Sequence, residues 1–554
     1  MPHAPTTPAS PPTSLRVACI GGGPGGLFTA IALRHALPGA EVDVFERNRA
    51  EDIFGFGVVF SDATLDYINR VDPVLQDVLN AHGRHWDTIR VHNQGALAAA
   101  AGNGMAAVHR RTLLDAMRER ATALGARLHY QHEADVAALD TGGAYDLIVA
   151  ADGANSATRA RFAAGLGHTI DTAAVKFIWF ATTYELPGLT FLHQRWQDGN
   201  FAVHGYPIGD GLSTFIVETE EATWRAAGLD RFDMATPPGP SDEVSQRFLE
   251  QLFAAQIDGH PLVGNNSRWA NFRTRLTGRW HAHTGRGTPV VFIGDTVHTA
   301  HFSVGSGTKM AMEDAAALAA AVARHPGALD AAITDFEAVR VPEVAKIQNS
   351  ALPSLSWWDH FGAYERGLPP WQFGFHFFSR SISAEKMRRR DAAFVHASEQ
   401  AWLQAHGHAV LGTPLKVGDL TLRTRLLRSR TPADDAIELS DGAVTLTAGG
   451  AALPLYAAPS LRTTRLDAAT TTALDALCAA QPDAVVIHGG NHLARTLCAE
   501  HVRLAHQRVA LIVDDAEALA ARRATSAADC AATVVLSGRA DAVAFDTAGF
   551  PTPR

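Results

Sequence analysis

Apolar residues recur along this chain with two different periods. Residues 16–20 (RVACI) form a short continuous apolar run, followed by a glycine-rich turn (GGGPGG). An apolar-periodic stretch with helical spacing comes next (LFTAIALRHAL), then a second strand-like run (EVDVFER). This order predicts the start of a βαβ unit. The segment YDLIVAADGANSATR again runs from a buried strand into a Gly/Asn/Ser turn, and TPVVFIGDTVHTA repeats the pattern far downstream. Three strand-to-turn sites on one discontinuous domain are therefore expected. Between them, KFIWFATTYEL, NFAVHGYPI and LSTFIVETE alternate with period two, which predicts an antiparallel sheet. Helical runs and an aromatic-rich stretch (LPSLSWWDHFGAYERGLPPWQFGFHFFSR) follow, then a basic cluster, EKMRRRD. From residue 405 the composition shifts towards Ala, Thr and Asp. The expected divisions are a disordered tail at 1–14, a first nucleotide-binding part at 15–175, a substrate-binding sheet at 176–272, a second nucleotide-binding part with helices at 273–404, and a C-terminal segment at 405–554.

Length and composition narrow the class. A chain of 554 residues exceeds what one core usually organises, and 47% hydrophobic with 19% charged residues is the balance of a globular protein. The net charge of −9 is spread along the chain, which argues against nucleic acid or an anionic membrane as partner. Cys19, Cys478, Cys498 and Cys530 lack metal-ligand spacing, so no metal site is expected and a reducing cytoplasm is the simplest location. No apolar run reaches the roughly 18 to 20 residues of a membrane span.

Gly21, Gly23 and Gly26 form G-x-G-x-x-G directly after a strand and at the opening of a helix, with Glu46 and Arg47 closing the next strand. Small residues let the backbone approach a pyrophosphate at the helix N-terminus, where free N–H groups favour negative charge. Glu46 would then meet ribose hydroxyls. Asp152 and Gly153 end a second strand, and Asp295 ends a third ahead of Gly305, Ser306 and Gly307. His298 and His301 lie in that third block and invite an acid–base role, with packing as the alternative.

Together the glycine triplet, the Asp-Gly block with Ser156 and Arg159, and the Gly-Asp block resemble the single-component, group A flavoprotein hydroxylases. The resemblance implies FAD as cofactor and NADH or NADPH as co-substrate. It also implies that Asp295 contacts the ribityl chain, that the Gly305–Ser306–Gly307 backbone and Gly57 and Val58 lie beside the flavin, and that Arg110 lies near the pyrophosphate. FGFGVVFSDATLDYINRVDP, HWDTIRVH, KFIWFATT, HGYP, STFIVETEEATW and HTAHFSVGSGTKMAMEDA further resemble the salicylyl-CoA 5-hydroxylases and 2-aminobenzoyl-CoA monooxygenases. The tryptophan hydroxylase of the violacein pathway shares the pattern. Phe302 stands where many phenol hydroxylases of the wider group have proline, and Lys309 where asparagine is common.

The fold class expected is α/β: a Rossmann-like FAD-binding domain with an inserted antiparallel β-sheet substrate domain, plus a small α/β C-terminal domain. The function implied is FAD-dependent hydroxylation of an aromatic substrate by O2, with a CoA-linked acid as substrate and hydroxylation of tryptophan or another indole as the alternative. A flavin-binding redox sensor or scaffold is the alternative outside enzymes. Trp179 and Tyr206 are candidate walls of the ring pocket, and Lys386, Arg388, Arg389 and Arg390 are candidate contacts for CoA phosphates. LGTPLKVGDLTLRTRLLRSRT and VVLSGRADAVAFD resemble the two ends of an old-yellow-enzyme module. About 250 residues make a (β/α)₈ barrel, more than residues 405–554 provide, so a reduced remnant is expected, with His488 and His492 incidental. A chain ending near Gln404 is expected to remain an active hydroxylase. The sequence leaves the oligomeric state open.

Overall fold

The computed structural model describes residues 14–53, 55–61, 65–232, 239–433 and 436–546. Of the expected N-terminal tail, 1–14, only Ser14 falls within that range. The chain forms two compact units, one of Met1–Arg84, Ala106–Asp171 and Arg273–Ile347, the other of His85–Met105, Thr172–Phe272 and Gln348–Arg554.

The first unit is built on a six-stranded sheet in the order His281–His283, Pro289–Phe292, Leu147–Ala150, Arg16–Ile20, Glu41–Phe45, Arg127–His129. All its pairings are parallel except the one between the first two strands. Parallel strands covered on both faces need unbroken apolar runs, and Val17–Ile20, Leu147–Ala150 and Pro289–Phe292 are buried throughout. The opening strand sits in the middle, so its C-terminal end is where neighbouring connections diverge, the usual ligand position in such sheets. The helix Pro24–Ala36 starts there with proline in its first turn, where a missing N–H costs nothing. It buries Leu27, Phe28, Ile31 and Leu33 in the same core as Met310, Met312 and Leu318 of the helix Gly307–Arg324.

In the second unit a mostly antiparallel sheet has the order Leu262–Val263, His168–Thr182, Leu212–Thr219, Gly199–Gly209, Thr190–Trp196, Ile89–Asn93, Ala96–Ala100. One face buries Phe180, Phe201, Phe215 and Val217 against Leu249, Phe253 and Ile257. The other carries Phe191, His193 and His204, which stack on Trp357, Trp358, Phe373 and Phe377. The C-terminal segment forms an open seven-stranded sheet in the order Thr445–Ala448, Ala436–Ser440, Leu426–Ala433, Ala542–Asp546, Ala510–Asp514, Val485–His488, Leu455–Ala457. Its last five strands pair in parallel. This is the expected small α/β module, not a closed barrel. Among the described residues no helix is long and apolar enough to cross a membrane.

The units differ from the expected divisions at three places. Residues 85–105, expected in the nucleotide-binding part, supply two strands to the second unit's sheet, because Ile89–Asn93 pairs in parallel with Thr190–Trp196. A parallel pairing across a hundred residues leaves no local signature. The strand His168–Thr182 runs unbroken through the expected boundary at 175/176. The helix Ala392–His406 likewise runs through 404/405, and residues 348–404 belong with the C-terminal segment.

That last point bears on the expected dispensability of the C-terminal segment. Phe375, Met387, Val395 and Trp402 share a core with Val535 and Leu536. Tyr364 and His376 both bond Glu500, Ala384 N–H donates to Thr533, and Gln372 donates to the Leu536 carbonyl. Exposing half a dozen large apolar side chains at roughly 1.5–3 kcal/mol each matches a typical domain's whole stability, on the order of 5–15 kcal/mol. A chain cut after Gln404 is therefore expected to give no soluble, FAD-loaded protein. Its yield and flavin content on size-exclusion chromatography test this, and a folded, turning-over truncation would refute it.

Candidate functional site

The glycine turn after the opening strand shows why each glycine stands where it does. Gly21 has φ +110°, and a Cβ on it would lie 2.3 Å from the Ala151 carbonyl oxygen. A Cβ on Gly26 would lie 1.9 Å from the carbonyl oxygen of Gly21. These two glycines close the turn onto its neighbours. Gly23 differs: its φ of −80° suits any residue, and an added Cβ would meet no protein atom within 4 Å. It is the position where a side chain would intrude on something other than protein.

Two helix N-termini converge near this turn. The Pro24–Ala36 helix has Gly23 as N-cap and the Gly307–Arg324 helix has Ser306; neither cap makes a side-chain bond, and neither first turn carries an acid. A Cβ on Gly25 would touch the Ala311 methyl at 3.5 Å, and one on Gly294 would meet it at 2.9 Å, so the helices meet through small residues. Ser306 Oγ is buried without a hydrogen-bond partner among the described residues. Open space at Gly23, two uncapped N-termini and an orphaned hydroxyl fit a diphosphate-bearing dinucleotide such as the FAD implied by the sequence.

Glu46 ends the second strand as expected. Its carboxylate accepts from Gly22 N–H (2.8 Å) and from the backbone and side chain of Asn48 (2.9 and 2.7 Å), so it also braces the glycine turn. Arg47 beside it is exposed. Asp152 accepts from Ser156 Oγ (2.6 Å) and Thr158 N–H (3.1 Å) and so caps the short helix Ala157–Arg161. Gly153 N–H donates to Thr296 Oγ1 (3.3 Å), and Arg159 to the Thr296 carbonyl (2.7 Å). Thr296, unremarkable in sequence, thus joins the second block to the third. Arg110 N–H donates to the Phe56 carbonyl (2.7 Å), which ties its helix to the strand bearing Gly57 and Val58. A Cβ on Gly305 would press on Val59 of that strand at 2.9 Å.

The third block holds two aspartates of opposite character. Asp314 is buried; burial alone would raise its carboxyl, but His298, Arg340 and the Gly294 N–H hold it below the ordinary aspartate range. The distances are 2.6 Å to His298 Nε2, 2.9 Å to Arg340 Nε and 2.9 Å to Gly294 N. Asp295 touches solvent, yet enough protein surrounds it that burial raises its carboxyl above the ordinary range, against the pull of His298, Arg110 and Arg275. A Cβ on Gly307 would lie 4.0 Å from Asp295 Oδ1, so the carboxylate stands beside the helix start.

The acid–base expectation for the histidines meets a different geometry. His298 is 1% exposed, bonded to Asp314 and packed on Trp280, and so acts as a brace for the Gly294 turn. His301 is 2% exposed, and its Nδ1 bonds Ser303 Oγ (2.8 Å) and accepts from Ser303 N–H (3.3 Å). Both are nearly enclosed by protein, and His298 Nδ1 is buried without a hydrogen-bond partner among the described residues.

In the second unit Trp179 and Tyr206 lie on one face of the sheet: Trp179 pairs with Ile216, which pairs with His204, two residues before Tyr206. Tyr206 stacks on Trp86 at 6.1 Å, and Trp179 Nε1 is buried without a partner among the described residues. In the basic cluster Arg388 is matched by Glu399 (2.8 Å) and Glu385 (3.3 Å), and Arg389 has Glu385 at 3.7 Å. The pairing leaves Lys386 and Arg390 as cations with no carboxylate within 4.0 Å among the described residues. Against the expectation of no metal, Asp475, His501 and His506 bring donor atoms within 4.8 Å of one another, but both imidazoles bond Asp475 Oδ1 at 2.7 Å, which satisfies that carboxylate.

A family model described as FAD binding domain matches residues 14–349. A salicyloyl-CoA 5-hydroxylase of a Streptomyces species is 50% identical over 542 residues, covering 96% of this chain and 99% of that one. A 3-hydroxy-4-methyl-anthranilyl-[aryl-carrier protein] 5-monooxygenase of Streptosporangium sibiricum is 35% identical over 343 residues, covering 62% of this chain and 89% of that one. Among solved structures, CmlS, a flavin-dependent halogenase, aligns with a TM-score of 0.50 at 14% identity, covering 71% of this chain and 78% of that one, a likeness of fold alone.

Two substitutions separate ligand contact from scaffold at the glycine turn. Gly26→Ala is expected to destabilise the fold by about 3 kcal/mol, because its methyl meets backbone that has no room to move. Gly23→Ala is expected to keep the thermal midpoint of the flavin-free protein and to lose FAD affinity. Calorimetric melting and flavin titration read both, and equal effects at the two positions would refute the distinction.

Asp295→Asn yields a second expectation. A carboxyl raised by folding contributes stability below its unfolded value, near about 3.9, and that contribution is lost as pH rises through the folded value. At neutral pH the charge therefore costs stability, and Asp295→Asn should melt higher than the flavin-free parent at pH 7, with the gain vanishing towards pH 3. Loss of a charge-assisted acceptor should weaken FAD retention at least about tenfold. Unchanged FAD affinity in the folded variant would remove Asp295 from the site.

Proposed function

We propose, for a chain that belongs to the FAD binding domain family and is an FAD-dependent aromatic monooxygenase, that the substrate is an aromatic acid carried as a coenzyme A thioester, salicyloyl-CoA, hydroxylated para to its ring hydroxyl. The observation that carries this reading is the likeness to the Streptomyces enzyme, which runs nearly end to end through both chains, the C-terminal segment included. The two relatives more than 30% identical bear a carrier in their names, CoA in one and an aryl-carrier protein in the other, and both are named for position 5. The reaction balances as aryl substrate, O2, NAD(P)H and a proton giving hydroxylated product, NAD(P)⁺ and water.

Bound FAD supplies the electron transfer and oxygen chemistry. The chain's own residues bind and orient. The two uncapped N-termini would hold the diphosphate, Asp295 would accept from the cofactor's hydroxyls, and Ser306 Oγ would donate to it. Glu46 keeps lone pairs for a ribose hydroxyl while bracing Gly22. Trp179 and Tyr206 wall the ring, the Trp179 indole N–H being available to a substrate oxygen. Lys386 and Arg390 meet CoA phosphates, whereas Arg388 is already committed to its carboxylates. Four buried free cysteines suit a reducing cytoplasm, the location we assign. The C-terminal sheet serves as structural support for the second unit.

Full-length, FAD-loaded protein with NADH or NADPH should convert salicyloyl-CoA to a hydroxylated product in step with nicotinamide oxidation, as read by mass spectrometry. Lys386→Ala with Arg390→Ala should raise KM several-fold with little change in kcat, since such contacts act equally in ground and transition states. The effect should shrink as salt is added. Efficient hydroxylation of free salicylate or tryptophan, unaffected by the substitutions, would overturn the thioester reading. Flavin reduction without any hydroxylated product would favour a redox sensor.

A further inference from the structure

The second unit contains a cavity of about 30 Å³ whose lining includes Arg380, Arg522, Arg539, Ser356, Tyr364 and Glu500. A space of this size holds roughly two waters or one small oxyanion. Three guanidinium groups face it and one carboxylate does. Buried charges are ordinarily matched by partners, because an isolated one costs several kcal/mol to bury.

The carboxylates available are already shared. Arg522 is paired with Asp514 (3.0 Å), which also binds Arg495 (2.8 Å). Glu500 accepts from the Tyr364 hydroxyl (2.6 Å) and bonds His376 Nε2 (3.1 Å), and its nearest approach to Arg539 is 3.6 Å. Arg539 itself spends its hydrogen bonds on neutral oxygens, Ser379 Oγ (2.7 Å) and the His376 carbonyl (2.8 Å). Arg380 has neutral partners only: Ser354 Oγ (3.0 Å), the Phe377 carbonyl (2.7 Å) and the Phe377 ring face, 4.0 Å from the guanidinium. Among the described residues Arg380 has no carboxylate within 4.0 Å and its Nη2 has no acceptor. Arg380 is part-buried; burial, with the charge of Arg539 second, lowers it to about 9, so it remains a cation at neutral pH.

We infer that this cavity is a binding site for a phosphate-like oxyanion, held by Arg380 and Arg539 and backed by Arg522. Like charges that feel one another across a cavity are relieved by an anion between them, and planar guanidinium forks match the oxygens of a phosphoryl group. Nothing in the hydroxylation site uses these residues. The anion is either free phosphate or a phosphate of the carried substrate, and the chemistry is the same for both.

The test uses full-length, FAD-loaded protein exchanged into buffer free of phosphate and sulfate, with inorganic phosphate as probe. Calorimetric titration should show saturable one-to-one binding, and the thermal midpoint should rise on the order of 2 °C at a hundredfold excess over Kd, with potassium chloride of equal ionic strength giving no such rise. Arg380→Gln should weaken phosphate at least about tenfold, and Arg380→Lys less. Absence of saturable phosphate binding to the unmodified protein would overturn the site without recourse to any variant, and so would parent-like affinity in Arg380→Gln. Steady-state kinetics identify the source. Competition between phosphate and salicyloyl-CoA, with KM raised in Arg380→Gln, assigns the site to the substrate's phosphate; an unmoved KM assigns it to free phosphate. The kinetic arm rests on the thioester reading and the titration does not, so failure of one is distinguishable from failure of the other.

Discussion

The helices Pro24–Ala36 and Gly307–Arg324 approach each other through small residues. Gly25 and Gly294 both rest on the Ala311 methyl, and Gly26 lies against the Gly21 carbonyl. That closeness lets two unsatisfied helix N-termini and the Asp295 carboxylate share one small region, which no sequence with larger side chains at these points could achieve. The rest of the cofactor site is arranged around the seam. Glu46 braces the glycine turn from one side, and Arg159 and Thr296 clamp the second block to the third from another.

Asp295 and Asp314 show how one short segment divides scaffold from function. Asp314 is ringed by donors, so ionisation is favoured and the turn at Gly294 is rigid. Asp295 sits twelve residues upstream of the start of the same helix, Gly307, in a surround that disfavours its charge. Such a group is expected to cost the empty fold stability at neutral pH, which fits a side chain set for a ligand and not for stability. His298 lies on the scaffold side of this division through its bond to Asp314.

The second unit joins the substrate-side sheet to the C-terminal α/β layer through aromatic packing and buried ion pairs. Trp357 and Trp358 of the long helix cover one face of the sheet, while Tyr364 and His376 reach Glu500 on the other side of the helical layer. The C-terminal segment is thus a structural partner of the helices that follow the nucleotide-binding part. Its own parallel strands lack barrel closure, and the buried Arg522 and Arg539 with the part-buried Arg380 line the charged cavity.

Much of the nucleotide-binding unit was legible in the chain because its determinants are local. A glycine triplet between a buried strand and a helix, an acid after the next strand and a second aspartate before another glycine-bearing helix start are each fixed within a few residues. Period-two alternation likewise marked the antiparallel sheet. What the sequence could not decide were relations between distant segments. Ile89–Asn93 is a strand whose parallel partner lies a hundred residues on. His298 reads as a titratable group near the cofactor until Asp314 and Trp280 enclose it. EKMRRRD reads as a phosphate-binding cluster until Glu385 and Glu399 claim Arg388, while Arg380, Arg522 and Arg539, scattered over about 160 residues of sequence, come together around one cavity. Local backbone geometry is written in neighbouring residues, whereas burial and charge pairing depend on which surfaces meet, and only the tertiary structure sets that.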